Sequence, residues 1–274
     1  MRSGRALYLV VRFPQKGKDG YNHMSDMRNG FTKRLLADAS IEEGMRVLDV
    51  GCGRGDVAAI VAETMGNSGE VVGVDMDEEA LAAARDAAAG KGLSCVQFFR
   101  ADLNDLPCSL GLFDAVVGRR VLMYQRSAAR SLETLLPRLL PGGLMVFQES
   151  DSMCTGAGES RMPLHSKALS WIWETVAGEG GDIHMGLNLY PLCRKAGLDV
   201  VEIRSEAVLQ TEETGSDLAW VIGMMLPRIV GAGVAETEEI DIDTLALRLE
   251  HERRETGGVF VRDMAFGIVA KRQG

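Results

Sequence analysis

The sequence lacks several features that would assign it to a specialised class of protein. No apolar run reaches the roughly 20 residues that a helix needs to cross a bilayer. The apolar run from Ala6 to Val11 is too short for a secretory signal and has no small-residue cleavage site after it. We therefore predict a cytoplasmic protein without a membrane span. The five cysteines are odd in number, widely spaced and free of any CxxC pair, so neither a disulfide framework nor a zinc site is predicted.

The sequence also lacks histidines at the spacing of metal ligands, and it has fewer positive than negative charges. The four histidines show no HxH or HxxxH spacing, and we predict no metal. Lys and Arg number 30 against 39 Asp and Glu, which gives a net charge of -9. Because cations that neutralise phosphates supply most of the affinity for nucleic acids, we predict no nucleic-acid partner. Aromatic residues make up only 5% while methionines number 14, a composition that favours an apolar, flexible ligand over a flat, stacked one.

What the sequence does contain is a regular alternation of apolar runs and helical stretches between Met45 and Lys271. This pattern is typical of a parallel β-sheet with helices on both faces, an α/β fold. The apolar runs predict strands near 46–51, 71–75, 96–101, 113–118, 143–149, 199–207 and 259–271. Helices are predicted near 55–66, 78–88 and 127–140, and the sequence Pro141-Gly142-Gly143 is expected to end the third helix and lead into the fifth strand.

Two stretches are longer than such a sheet requires, at about 151–185 and 208–257. We predict that they are insertions forming a helical substrate cap on a single domain at 21–274, preceded by a basic N-terminal arm at 1–20. The segment from Leu218 to Val230 is strongly apolar. Its interpretation stays open between core packing, a pocket wall and a contact in a homodimer or higher homo-oligomer.

A glycine-rich turn and a distant carboxylate form the most informative motif. An apolar strand leads into Gly51-Cys52-Gly53-Arg54-Gly55, where the missing Cβ atoms let the backbone approach a ligand closely. Asp75 ends the next strand, 20 residues after Gly55, the offset at which an acid can accept hydrogen bonds from a ribose. A dinucleotide fingerprint has its third glycine one position later, and Asp56 would repel a phosphate. The motif therefore predicts an adenosine cofactor without a phosphate.

The sequence Asp49-x-Gly51-x-Gly53-x-Gly55 resembles motif I of class I methyltransferases that depend on S-adenosylmethionine (SAM). From about Tyr21 onward, the chain resembles the broad group related to ubiquinone and menaquinone biosynthesis enzymes. The resemblance implies a Rossmann-like, mostly parallel seven-stranded sheet of order 3-2-1-4-5-7-6, with the last strand antiparallel. It also implies SAM as the cofactor. The expected activity is O-, N- or C-methylation of a small-molecule acceptor, such as a quinol, a polyketide, a prenylated compound or another secondary metabolite.

The same resemblance assigns cofactor contacts to individual residues. Asp49, Gly51 and Gly53 would meet the methionine half of the cofactor, although Asp49 has the alternative of simply capping the turn. The other expected contacts are Asp75 at the ribose, Met76, Asp102 and Leu103 at the adenine, Gly118 and Arg119 at the methionine carboxylate, and Tyr21 in an N-terminal segment that folds over the cofactor. An arginine can grip a carboxylate with two hydrogen bonds, and pairing with surface acids is the alternative for Arg119.

Three residues are candidates for a catalytic base. Glu149 and Asp151 follow the fifth predicted strand, where alternate residues share one face, and His184 lies in a glycine-rich approach to a helix. A base beside the acceptor adds ~10²–10⁴-fold to a proton transfer. Solvation or helix capping is the alternative for each of the three.

Other functions remain as alternatives to small-molecule methylation. One is a SAM-binding protein without transfer activity, and another is a protein or RNA methyltransferase. The acidic composition argues against RNA, and the sequence after the fourth strand, Gly118-Arg119-Arg120-Val121, lacks the Asn/Asp-Pro-Pro-Tyr/Phe motif of amino-group methylases. The displaced glycine and the absence of a Tyr-x-x-x-Lys pair argue against a nicotinamide reductase.

Overall fold

The structure, a computed structural model, describes residues 20–66, 68–154 and 161–274, with side chains from residue 29 onward. Its strands form a seven-stranded sheet in the order β3-β2-β1-β4-β5-β7-β6, which confirms the expected order. The strands are β1 (Arg46–Val50), β2 (Glu70–Asp75), β3 (Val96–Arg100), β4 (Phe113–Arg119), β5 (Leu139–Asp151), β6 (Asp199–Gln210) and β7 (Phe260–Lys271). β7 is antiparallel to both of its neighbours. The predicted N-terminal arm, apart from Gly20, lies outside the described residues.

Helices cover both faces of this sheet because the strand residues alternate between two apolar layers. Val47 and Val71 face one layer, with Leu35 and Leu81 from the helices above them. This layer contains α1 (Gly20–Asp38), α2 (Asp56–Thr64) and α3 (Glu78–Gly90). The opposite layer contains α4 (Ala128–Leu135), α5 (Pro163–Gly178), α6 (Met185–Lys195), α7 (Leu218–Gly231), α8 (Thr237–Ile240) and α9 (Ile242–Thr256).

The boundary between α4 and β5 differs from the prediction. The helix ends at Leu135, a 3-10 turn follows at Leu136–Arg138, and β5 begins at Leu139, so that Pro141 and the two glycines lie inside the strand. Phe113 pairs with Leu139 but Ala115 pairs with Leu144. The extra residues of β5 bulge out at this shift in register, where a proline without an N–H group is tolerated.

The two predicted insertions are largely helical, and their helices pack on one another. α5 from the first insertion contacts α7 and α9 from the second. Buried His165 joins them, since its Nδ1 lies 2.6 Å from Glu252 Oε2 and its Nε2 lies 3.2 Å from Arg253 Nη1. Glu252 also accepts hydrogen bonds from the backbone N–H groups of Leu164 and His165 at the start of α5. The two insertions therefore share one polar anchor.

No helix within residues 20–66, 68–154 and 161–274 has the length and apolar character needed to span a membrane. The same residues contain no group of three or more His, Cys, Asp and Glu side chains placed to hold a metal ion.

Candidate active site

The glycine turn after β1 has two positions with different constraints. Gly51 and Gly53 both have positive φ angles, 63° and 52°, which favour glycine. A Cβ on Gly51 would lie 2.5 Å from Val121 Cγ2, whereas a Cβ on Gly53 would have no atom within 4 Å. The absence of a Cβ at Gly51 therefore lets the turn pack closely against the loop after β4, while Gly53 borders open space.

Asp75 ties this turn to the end of β2. Its Oδ2 accepts a hydrogen bond from the Gly53 N–H at 2.8 Å, and its Oδ1 accepts one from the Asp77 N–H at 3.0 Å. Each carboxylate oxygen keeps a second lone pair. The carboxylate therefore has a fixed orientation and can still accept hydrogen bonds from ribose hydroxyls.

Asp49 is almost completely buried in β1, with a relative exposure of 1%. Neither of its carboxylate oxygens has a hydrogen-bond partner of normal geometry in the described structure. Burial raises the pKa of Asp49 to about 7, while the nearby positive charge of Arg119 and, less strongly, the backbone N–H of Ala58 oppose this effect. Because a buried carboxylate without donors is costly, its position beneath the turn indicates a ligand that brings a donor or a positive charge.

The residues predicted at the adenine lie at the neighbouring strand ends. Met76 follows β2 and is 54% exposed, and Asp102 follows β3 and is exposed beside buried Leu103. Asp102 Oδ1 accepts hydrogen bonds from the backbone N–H of Asn104 at 2.8 Å and from its side chain at 3.1 Å. These contacts fix the carboxylate of Asp102 at the carboxyl edge of the sheet, where open α/β sheets bind ligands.

Arg119 has structural partners in this structure. Its guanidinium donates to Asn29 Oδ1 at 3.0 Å and to Thr32 Oγ1 at 3.3 Å, both on α1, and lies 3.3 Å from Asp56 Oδ2 at the start of α2. The neighbouring Gly118 has no room for a Cβ, which would lie 2.7 Å from Phe147. Arg119 therefore joins α1 and α2 to the end of β4. The cofactor contacts predicted for these two residues stay predictions.

Tyr21 belongs to α1, and its side chain lies outside the described side chains. Its predicted contact with the cofactor therefore stays a prediction.

Glu149 is fully buried and organises the loop after β4. Its carboxylate accepts hydrogen bonds from the backbone N–H groups of Val121 at 3.1 Å, Leu122 at 2.8 Å and Met123 at 3.4 Å. Burial raises the pKa of Glu149 to about 7, while these amides and the charge of Arg120 oppose the shift. With three donors already bound, this carboxylate is suited to positioning the loop, and a role as the catalytic base stays a prediction.

The structure brings Asp151 and His184 together. Asp151 is buried, and its Oδ1 lies 3.2 Å from His184 Nδ1, whereas the imidazole is about half exposed. Asp151 also accepts hydrogen bonds from the backbone N–H groups of Met153 at 2.9 Å and Leu187 at 3.0 Å. A carboxylate that holds Nδ1–H leaves Nε2 of a neutral imidazole as a potential base.

A polar cluster on β5 and β7 has no signal in the local sequence. Asp263 in β7 accepts a hydrogen bond from Ser150 Oγ at 2.7 Å, and the positive charges of Arg262 and, to a smaller extent, Arg120 lower the pKa of Asp263. Burial is the largest influence on that pKa and raises it. Asp263 lies far from the motifs in sequence, and only the antiparallel pairing of β7 with β5 brings it to the site.

A cleft of about 310 Å³ separates the loop after β4 from the helical insertions. It is lined by Tyr124, Val176, Glu179, Gly181 and Arg228. Arg228 Nε donates to Glu179 Oε1 at 2.9 Å, so an ion pair between α7 and the end of α5 forms one wall.

The residues present fit SAM. Its methionine half carries an ammonium group that matches the buried Asp49 carboxylate, Gly53 borders open space, and Asp75 has lone pairs for a ribose. A model of the methyltransferase domain matches residues 41–197. The chain belongs to this methyltransferase family. The predictions of a class I SAM-dependent methyltransferase and of SAM as its cofactor are confirmed at this level.

Individual relatives support the same family. The chain is 36% identical over 138 residues to the ubiquinone/menaquinone biosynthesis C-methyltransferase UbiE of Ectopseudomonas mendocina. That match covers 47% of this methyltransferase and 53% of the relative, so it spans about half of the relative's length. UbiE of Ralstonia nicotianae is 26% identical over 200 residues, which cover 66% of this chain and 81% of that protein.

Among solved structures, the cyclase SpnF has the same fold, with a TM-score of 0.56 and 22% sequence identity. The match covers 89% of this methyltransferase and 80% of SpnF.

Proposed function

We propose that this methyltransferase transfers the methyl group of SAM to a small, apolar organic acceptor bound over the carboxyl ends of β4 and β5. The observation that carries the proposal is the buried Asp49 carboxylate, which has no hydrogen-bond partner of normal geometry beneath an open glycine turn. SAM supplies an electrophilic methyl group on a cationic sulfur. Displacement at such a carbon mainly requires a nucleophile held at ~3 Å in a cavity that excludes water.

The residues of the chain would divide the binding work. Asp49 would hold the ammonium group of the cofactor and Asp75 its ribose, while Met76, Asp102 and Leu103 would border the adenine. Glu149 would act as a positioning residue through the loop amides that it binds. The insertions at 151–185 and 208–257 would form the substrate cap, because their helices pack as one unit beside the loop after β4.

His184 is the proposed base for an acceptor that must lose a proton. Asp151 orients its imidazole at 3.2 Å, and its half-exposed ring can reach a bound ligand. His184→Ala should lower kcat/KM by ~10²-fold with little change in SAM affinity. His251→Ala, at an exposed histidine on α9, is the matched control and should keep full activity.

The names of the curated relatives suggest which acceptors to test first. UbiE is named a C-methyltransferase of ubiquinone and menaquinone biosynthesis, and we infer that quinol-like compounds are the first class to screen. Polyketides and prenylated compounds follow, with mass spectrometry of the products to distinguish O-, N- and C-methylation.

The first experiment is a calorimetric titration of cofactor-stripped protein with SAM and then with NADH. We expect SAM to bind and NADH not to bind. Asp75→Ala should weaken SAM binding by about tenfold or more, as for the loss of a charge-assisted hydrogen bond, while Asp86→Ala, an exposed acid on α3, should leave it unchanged. Preferred NADH binding would overturn the proposal. SAM binding without methyl transfer to any acceptor class would favour the non-transferring alternative.

A further inference from the structure

The two edges of the sheet are protected to different degrees. β3 at one edge has five residues, and Arg85 Nη2 donates to its Phe98 carbonyl at 3.2 Å. β6 at the other edge has 12 residues and pairs only with β7 in the described sheet. An edge strand presents a row of unpaired N–H and C=O groups, and natural proteins protect such edges by keeping them short or charged or by covering them. The edge at β6 therefore has more unpaired backbone and less protection than the edge at β3.

The middle of β6 is regular, and its ends are not. The register with β7 shifts between Val200 and Glu202 and again between Val208 and Leu209, while the residues from Glu202 to Val208 pair with β7 one to one. Bulges bend a strand and interrupt its ladder, so this regular segment is the part of β6 that can accept a further strand. Its central residue, Ser205, is exposed.

The charges of the regular segment lie on the face that α1 covers. Arg204 forms an ion pair with Asp38 of α1 at 2.6 Å, and Glu206 accepts a hydrogen bond from Arg34 Nε of α1 at 3.2 Å. Arg204 and Glu206 stand on either side of Ser205, at equal distances along the strand. An antiparallel pair of two β6 strands centred on Ser205 therefore sets Arg204 of each copy opposite Glu206 of the other. Opposite charges at directly opposed positions stabilise a sheet.

Other centres for the pair fit less well. Centring it on Arg204 or on Glu206 would set like charges directly against each other, which destabilises a sheet. Centring it on Ile203 would bring the irregular position at Val201 into the ladder. The self-complementary arrangement is therefore the one centred on Ser205.

The other face of the segment is compatible with the same arrangement. Ser205 and Ile203 share this face because alternate residues of a strand point the same way, and Ile203 is 48% exposed. In a pair centred on Ser205, Ile203 of each copy lies opposite the small Ala207 of the other, and the two serines meet at the axis. The pairing thus covers an exposed isoleucine without a steric clash.

We propose that two copies of this chain associate by antiparallel pairing of their β6 strands about a two-fold axis at Ser205, which joins the two sheets into one. An interface of this kind uses the same surface patch on both subunits. The partner is a second copy because the segment complements its own order of charges when the strand is reversed. The inference does not depend on the proposed function.

The first test is the oligomeric state of the full chain, measured by sedimentation velocity over a range of protein concentrations. We expect the wild type to be dimeric. Ser205→Lys would place two like charges directly opposite each other at the axis and should raise the dissociation constant of the dimer by about tenfold or more. Gln97→Lys makes a similar change at an exposed position of β3, the other edge strand, and should leave the dimer unchanged.

Disulfide cross-linking tests the register. Ser205→Cys would bring the two new cysteines to a Cα separation of about 5 Å, within the span of a disulfide, so mild oxidation should link the two chains. Ile203→Cys, on the same face, would place its two cysteines about 13 Å apart along the strands. It should link no more than the wild type, whose exposed Cys108 sets the background.

Thermal unfolding and SAM binding of the same samples show whether each variant is folded. A monomeric wild type, a dimer that Ser205→Lys leaves intact, or stronger linking in Ile203→Cys than in Ser205→Cys would overturn the inference. A monomer whose β6 amides are protected from hydrogen exchange would indicate that another segment of the chain covers this edge, and would overturn it too. A dimer that does not bind SAM would instead contradict the proposed function alone.

Discussion

Two buried carboxylates, on the two strands that flank β4, have very different surroundings. Asp49 in β1 and Glu149 in β5 are both buried, and burial raises the pKa of each to about 7. Glu149 accepts three backbone hydrogen bonds within the protein, whereas the Asp49 oxygens have no such partner of normal geometry. The same direction of pKa shift therefore accompanies different hydrogen-bond environments in the two carboxylates. Glu149 stabilises the loop after β4, and we propose that a ligand supplies the missing partner of Asp49.

The contact between the glycine turn after β1 and the loop after β4 gives the largest expected effect on stability. Gly51→Ala would place a Cβ 2.5 Å from Val121 Cγ2, in the loop that Glu149 holds. We expect a loss of about 2–4 kcal/mol in the free energy of unfolding, from the left-handed backbone strain and the clash together. Gly53→Ala meets no atom within 4 Å and should cost only about 1 kcal/mol. Urea unfolding of both variants measures these free energies. Equal losses in the two variants would contradict the inference that Gly51 packs against the loop after β4.

Removing an acceptor oxygen from Glu149 should destabilise the protein. Glu149→Gln places an amide N–H₂ among backbone N–H donors, and a loss of about 1–3 kcal/mol in the free energy of unfolding is expected. SAM affinity measured by calorimetry should fall less than it does in Asp49→Asn. A variant as stable as the wild type would show that the loop does not depend on this carboxylate.

The corresponding change at Asp49 should have the opposite sign. The pKa of Asp49 in the folded state is raised to about 7 from 3.8, so its destabilising effect grows as the pH rises between these values and is largely present at pH 8. Asp49→Asn should therefore raise the stability of the cofactor-free protein by about 1–3 kcal/mol at pH 8 and by much less at pH 4. The same variant should bind SAM ~10–100-fold more weakly. Destabilisation at pH 8 would mean that the carboxylate has an internal donor.

Proton release on cofactor binding is the smallest expected effect, and it also distinguishes Asp49 from Glu149. At pH 6 much of Asp49 is protonated, and a cationic ligand should displace that proton, so wild type should release up to about one more proton than Asp49→Asn. Calorimetry in buffers of different ionisation enthalpy measures this difference. The Glu149→Gln variant should release as many protons as the wild type. In the wild type, Glu149 is already bound by internal donors, so its ionisation should not change when the cofactor binds.

The sequence predicted the sheet and SAM as the cofactor because both depend on local patterns. The alternation at Val47 and Val71 reflects the two faces of a strand, and the glycine turn and Asp75 lie within one short β-α-β unit. The Gly53 N–H donates a hydrogen bond of 2.8 Å to Asp75. The spacing of these two residues in the sequence is part of the cofactor-binding motif.

The contacts of Glu149 and Asp263 could not be predicted in the same way. Glu149 reaches amides in a loop 28 to 26 residues earlier, and Ser150 and Asp263 are separated by 113 residues. No local spacing records such contacts. The left-handed conformation of Arg120, with a φ angle of 53°, was equally hidden, because its sequence neighbours contain no turn signal that distinguishes it from Arg119.

The shared anchor at His165 bears on how this enzyme can be recombined with others. Arg253 and Glu252 of one insertion meet a histidine of the other, 88 and 87 residues away along the chain. A chimera that imports only one insertion would bury an arginine or a carboxylate without its counterpart. The two insertions would therefore have to be grafted together rather than exchanged one at a time.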